Sequence, residues 1–142
     1  MNNPYNQNTA YRKTQIETAS PEALILMLYD GAIKFIGQAE IAFEENNIEQ
    51  ISNLLLRIQA IFTELLTALD KDKGGEIAVN LERLYVFFLE QLGEANVKKD
   101  PKPLKDIKPL VIDIRNTWEK AMKEHQKSSP NNPPRPRLNV AV

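Results

Sequence analysis

Residues 22–100 contain no proline. Pro4 and Pro21 precede that stretch, Pro101, Pro103 and Pro109 follow it, and four more prolines crowd into residues 130–136. Proline lacks a backbone N–H and blocks a helix interior, so the middle of the chain is free to be helical while the end is not.

Apolar periodicity fills the free stretch. A first segment, about residues 21–45, follows Ser20 as N-cap, Pro21 at the first helical position and Glu22 against the helix dipole. Its stripe is Ile25, Leu28, Tyr29, Ala32, Ile36, Ala39 and Phe43, widened by Leu24, Phe35 and Ala42. Asn46-Asn47 makes a turn. A second segment, about 48–70, repeats apolar residues at alternating steps of three and four from Ile48 through Ile51, Leu55, Ile58, Phe62 and Leu65 to Leu69. Gly74 and Gly75 are expected to stop it with a left-handed residue and a tight reversal. A third, about 75–96, carries Ala78, Leu81, Tyr85, Phe88, Leu92 and Ala95; a fourth, about 104–126, carries Leu104, Ile107, Val111, Ile114, Trp118 and Ala121. Pro109 predicts a late start for the fourth helix, with Asp106 as N-cap, or a kink. Short links between four such segments imply an all-α, antiparallel up-and-down four-helix bundle. The expected organisation is a flexible or capping segment over 1–19, the bundle over 20–127, and a Pro-rich tail over 128–142.

Composition removes most chemistry. The 142 residues hold no cysteine and one histidine, with 18 Lys+Arg against 19 Asp+Glu. That excludes thiolate catalysis and Cys-ligated metal, and leaves little for a histidine triad. A di-metal carboxylate site in a bundle needs two Glu-x-x-His motifs. Met122 stands three residues before His125, and no second histidine exists. The expectation is a protein that is not an enzyme and holds no cofactor or metal. Basic residues are scattered among acids, which argues against nucleic acid. The longest apolar run, residues 23–29, is far below the roughly 20 residues that span a bilayer. The polar N-terminus lacks a signal-peptide core, so the expected location is the cytoplasm, without membrane insertion.

Large apolar residues nevertheless lie off the seams: Leu26 and Ile33, Leu56 and Leu66, Val79 and Val86 with Phe87 and Leu89 nearby, Leu110 and Ile112. Some widen the core; the surplus marks a partner surface. The first 19 residues are rich in Asn, Gln and Thr, with Tyr5, Tyr11 and Ile16 as possible anchors, suiting a movable cover over an apolar groove.

Thr14-Gln15-Ile16-Glu17-Thr18-Ala19-Ser20-Pro21 followed by Leu26-Met27-Leu28-Tyr29-Asp30-Gly31-Ala32-Ile33, then Gly74-Gly75-Glu76-Ile77-Ala78, Asn80-Leu81, Leu84-Tyr85 and Glu94-Ala95-Asn96, with Trp118-Glu119 in the fourth helix, form a set of blocks that resembles the FliS-type flagellin export chaperones. The resemblance covers roughly residues 10–122. It implies a bacterial cytosolic chaperone that binds the disordered C-terminal segment of flagellin, blocks premature polymerisation, and holds the subunit for components of the flagellar type III export gate. It also implies that the N-terminal segment folds over the groove with Tyr11 as plug. Asn8 and Pro109 depart from the family pattern. Helix-in-groove docking is the expected mode, with Leu26, Ile33, Leu56, Val79, Val86 and Leu89 as groove floor. Tyr29 and Tyr85 are placed to donate hydrogen bonds to client backbone, and Asp30 and Lys34 either touch client or form a surface pair. The free chain is expected to be a monomer or weak homodimer.

Overall fold

Ser20 opens the first helix as its side-chain oxygen accepts a hydrogen bond from the Ala23 N–H at 3.1 Å. In the computed structural model, which describes residues 10, 13, 14, 16 and 18–128, four long helices follow: α1 (Pro21–Glu44), α2 (Ile48–Ala68), α3 (Lys71–Lys98) and α4 (Lys102–Ser128). Tyr11, the expected plug, and the tail beyond Ser128 lie outside the described residues. Residues 10, 13, 14, 16 and 18 are helical rather than irregular, and Ile16 is exposed there.

Each link is short and capped. Asn46 takes a left-handed φ of 54°, and Asn47 caps α2 by accepting from the Gln50 N–H at 3.2 Å. Lys99, also left-handed, ends α3, its N–H returning to the Ala95 carbonyl. Asp100 then accepts from the Lys102 N–H at 3.0 Å at the start of α4. Links of this length force antiparallel neighbours. α1 packs on α2 and α4, and α3 packs on the same two, so the helices form a ring in chain order.

The seams meet in one core. Ile36, Ile51, Leu55, Ile58, Phe62, Leu65, Phe88, Leu92, Leu104 and Ile107 are all fully buried within it. Phe62 is its aromatic hub, with ring centroids 5.0 Å from Phe88 and 6.0 Å from Tyr85. Trp118 closes the α1–α4 seam by donating its indole N–H to the Glu22 carbonyl at 2.9 Å. That bond ties α4 to the first turn of α1, whose own amides it leaves free for the Ser20 cap.

Two sequence expectations are corrected. The glycine pair does not end α2, which stops at Ala68 with Leu69 extended. Asp70 instead caps a single helical turn over residues 71–74, accepting from the Lys73 N–H at 3.1 Å, and Gly75 (φ 58°, ψ −134°) redirects the chain into the rest of α3. A side chain is strained at that φ, so glycine is required there. The fourth helix likewise starts early, at Lys102, and runs through Pro109. Pro109 is exposed, and the missing N–H deprives only the Lys105 carbonyl, which the packing of Leu104, Ile107 and Val111 outweighs.

Candidate partner-binding surface

The ring order defines four edges between neighbouring helices, and the off-seam residues sort onto them. On α3, Val79, Val86 and Gly93 recur every seven residues, nearly one line along the helix. Gly93 shows which way that line faces: a Cβ there would lie 3.7 Å from Gln59 Nε2 of α2. On α2, Ser52 donates to Asn96 Oδ1 of α3 at 3.3 Å. Leu56 sits four residues after Ser52 and three before Gln59, so it shares their edge. Val97, four residues past Gly93, and Ile48, four before Ser52, extend the two lines. The α2–α3 edge therefore carries an apolar strip about 27 Å long at 1.5 Å per residue from Val79 to Val97. Ile48 is 54% exposed, Leu56 56%, Val86 39% and Val97 87%. Val79 and Leu89 are half-buried beside them.

A second, smaller strip lies across the bundle. Leu26, Ile33 and Glu40 are also seven apart, and Glu40 accepts a 2.7 Å bond from Lys108 Nζ of α4. Asp30 accepts from Arg115 Nε at 2.7 Å. Ile112, between Lys108 and Arg115, faces the same α1–α4 edge. Leu26 and Ile33 are half-buried and pack on the core, so this edge offers less apolar surface than the first. Arg115 also donates to Glu119 Oε2 at 3.0 Å, and these bonds hold the Glu119 carboxyl below its ordinary range. Of the two readings of Asp30 and Lys34, the surface pair is not formed: Asp30 pairs with Arg115, and Lys34 stands exposed on α1.

The two tyrosines are the main correction. Tyr29 and Tyr85 are 1% and 0% exposed, and their hydroxyls hydrogen-bond to each other across the core from α1 to α3. In this conformation neither reaches a client. Each ring fills the core while the paired hydroxyls satisfy one another, which is how a tyrosine is accommodated in an apolar interior. Burial pushes the Tyr85 phenol up to about 12, and burial with the neighbouring Tyr85 pushes Tyr29 higher still. Both groups titrate near 10 when unfolded. The native state thus holds its protons longer than the unfolded chain. Stability is complete below pH 10 and falls as the pH rises through about 12. Tyr29→Phe or Tyr85→Phe alone strands one buried hydroxyl and is expected to cost about 1–3 kcal/mol, whereas the double Phe variant is expected to lie much closer to the parent. Urea denaturation of the four proteins at neutral pH checks this. Additive single losses would contradict the mutual bond.

Sequence reasoning did not single out the exposure of Ile41, Ile48, Ile77 and Val97. Ile48 and Val97 continue apolar lines past the last buried residues, Ile51 and Ala95, near the ends of α2 and α3. α2 is also long and apolar enough to cross a membrane by length and composition, yet six of its residues, from Ile51 to Leu65, are buried inside the bundle. Among the described residues no group of three or more His, Asp or Glu side chains is gathered as a metal site.

Comparison with known proteins gives the chain's family. The family described as "Flagellar protein FliS" matches residues 1–125. A "Flagellar secretion chaperone FliS" of Bacillus subtilis is 33% identical over 127 residues, covering 89% of this chain and 92% of its own. A Campylobacter jejuni protein of the same name is 34% identical over 109 residues, covering 77% and 85%, and one from Salmonella typhimurium is 33% identical over 115 residues, covering 78% and 85%. A match of this extent over an all-α bundle leaves one conclusion: the chain belongs to the FliS family of flagellar secretion chaperones.

Proposed function

We propose that this protein binds the disordered C-terminal region of flagellin in the cytoplasm, prevents its premature polymerisation, and supports its delivery to the gate of the flagellar type III export apparatus. The observation that carries the reading is the exposed α2–α3 strip of Ile48, Leu56, Val86 and Val97, in a chain whose relatives are named secretion chaperones. A disordered client loses about 1–2 kcal/mol of backbone entropy per residue ordered, so a 40-residue segment requires on the order of 40–80 kcal/mol of compensating interaction. Most of that comes from the hydrogen bonds and packing the client forms within its own helices. The strip covers their apolar faces, more so if the client also crosses to Leu26 and Ile33 on the opposite edge.

The client in this scheme docks as an amphipathic helix, laying residues at i, i+3, i+4 and i+7 along Leu56 and Val86. Val79 and Leu89 form the floor. Asp30 and Lys34 flank the smaller strip, where Asp30 remains half-exposed beside Arg115. Residues 1–19, with Tyr11 as anchor, cover a strip until client displaces them. The free chain is a monomer or weak homodimer, and the activity is stoichiometric holding rather than turnover, with no cofactor and no nucleic acid. Seeded flagellin polymerisation followed by light scattering tests the reading. An equimolar amount of this protein is expected to halt elongation, and growth at an unchanged rate would overturn the proposal.

A further inference from the structure

α4 is the one cationic helix of the bundle. From Lys102 to Lys127 it carries seven Lys and Arg against four Asp and Glu, whereas residues 1–101 carry nine against fifteen. Five of its lysines, Lys102, Lys105, Lys120, Lys123 and Lys127, fall within a band about 60° wide at 100° per residue, opposite the buried stripe of Leu104, Ile107, Val111 and Trp118. All five are exposed. Lys102 pairs with Asp106 and Lys123 with Glu119, while Lys105, Lys120 and Lys127 make no ion pair among the described residues.

Helix stability does not account for this face. Cations favour the C-terminal end of a helix and are disfavoured at the N-terminal end, so Lys120, Lys123 and Lys127 suit the dipole but Lys102 and Lys105 oppose it. The first turn of α4 itself contains no acid; only Asp100 at its cap and Asp106, paired with Lys102, lie near them. Pro109, on the same face, removes a helical hydrogen bond and leaves the Lys105 carbonyl without its intrahelical donor. Local rules broken together on one exposed face, with no gain in packing, point to function.

From this we infer that the outward face of α4 docks a carboxylate-rich amphipathic helix of a second protein, at a site separate from the client strip. The lysines form two clusters, Lys102 with Lys105 and Lys120 with Lys123 and Lys127, about 22 Å apart between Lys105 and Lys120 at 1.5 Å per residue. Between them lie Pro109 and Asn116, with Asp113 at one border and Ile112 at the other, toward the α1–α4 edge. The matching partner therefore has acids in its first and last turns and a neutral, partly apolar middle. A nucleic-acid backbone fits poorly, because its continuous phosphates would pass over a neutral gap beside the Asp113 carboxylate. Lysine rather than arginine at every cluster position favours charge matching over bidentate geometry. α4 lies diagonally across the ring from α2, so partner and client can be held together.

The full chain, labelled for NMR, is titrated with a synthetic helical peptide of about 25 residues bearing glutamates in its first and last turns and leucine, alanine and asparagine between. Amide shifts at residues 102–105 and 116–127 are expected, with affinity falling steeply with salt. The combined variant Lys105→Gln, Lys120→Gln and Lys127→Gln is expected to keep its melting transition and to lose at least tenfold in affinity. Leu56→Asp, on the client strip, is expected to bind the peptide like the parent. Absence of shifts at millimolar peptide, shifts confined to the α2–α3 edge, or unchanged affinity in the lysine variant would overturn the inference. So would a single-stranded RNA of about fifteen nucleotides binding at least as tightly with the same lysine dependence, which would make the face a nucleic-acid site.

Discussion

Leu56→Asp combined with Val86→Asp is expected to weaken binding of a flagellin C-terminal segment at least a hundredfold while moving the melting transition of the free protein by only a few degrees. Leu56 is 56% exposed and Val86 39%, so roughly half of each side chain is available to a client and half already touches the bundle. Full burial of such side chains is worth about 1.5–3 kcal/mol each, and the available halves together account for about 2 kcal/mol. Each aspartate adds the cost of burying an unpaired carboxylate under the client, about another 1–3 kcal/mol at a partly wet interface. A total above about 3 kcal/mol exceeds two decades in affinity. Calorimetric titration checks the affinity and thermal circular dichroism checks the fold. A large drop in melting temperature would place these residues in the core and remove them from the binding surface.

Phe62→Ala is expected to do the reverse, costing about 3–5 kcal/mol of stability. Phe62 is fully buried at the centre of the ring cluster, within contact of Phe88 and Tyr85. Its removal opens a cavity beside the Tyr85 and Phe88 rings, and Tyr85 is held in place by its bond to Tyr29. Domains of this size hold about 5–15 kcal/mol in all, so the loss is a large fraction of the total. The urea midpoint is the readout. A change below about 1 kcal/mol would mean that the core repacks freely, contrary to the tight interior described above.

The contrast between Phe62 and Leu56 shows what was legible in the sequence. Steps of three and four from Ile48 to Leu69 identify the seam of α2; its members from Ile51 to Leu65 are buried, while Ile48 is exposed and Leu69 half-buried at the two ends. The period alone therefore fixes the helices and most of the core. It does not say which off-seam residue a neighbour covers. Leu56 is exposed because its edge meets Gly93 and Asn96, small or polar residues that build no wall over it, whereas Leu26 and Ile33 lie against α4 and are half-covered. The apolar stripes of the first and third segments already place the Tyr29 and Tyr85 rings in the core; what periodicity does not show is the partner of each hydroxyl. Only the fold brings their hydroxyls together across 56 residues of sequence.

Local signals misled where packing outweighed them. Pro109 and the Gly74-Gly75 pair read as helix breakers, and at Gly75 the backbone does break. Asp70 nevertheless starts a helical turn before it, and the buried stripe from Leu104 to Trp118 carries α4 past Pro109. In both cases a cap or a seam supplies more than the breaker removes. The family motifs were readable because they are long blocks of sequence in one order.

The central claim is that the exposed apolar edges order a disordered flagellin segment. Calorimetric titration of the full chain with a peptide of flagellin's C-terminal region, paired with far-ultraviolet circular dichroism, tests it most directly. Saturable one-to-one binding is expected, with a gain of helix beyond the sum of the two components and a negative heat-capacity change from apolar burial. No heat and no added helix at concentrations of about 100 μM would contradict it.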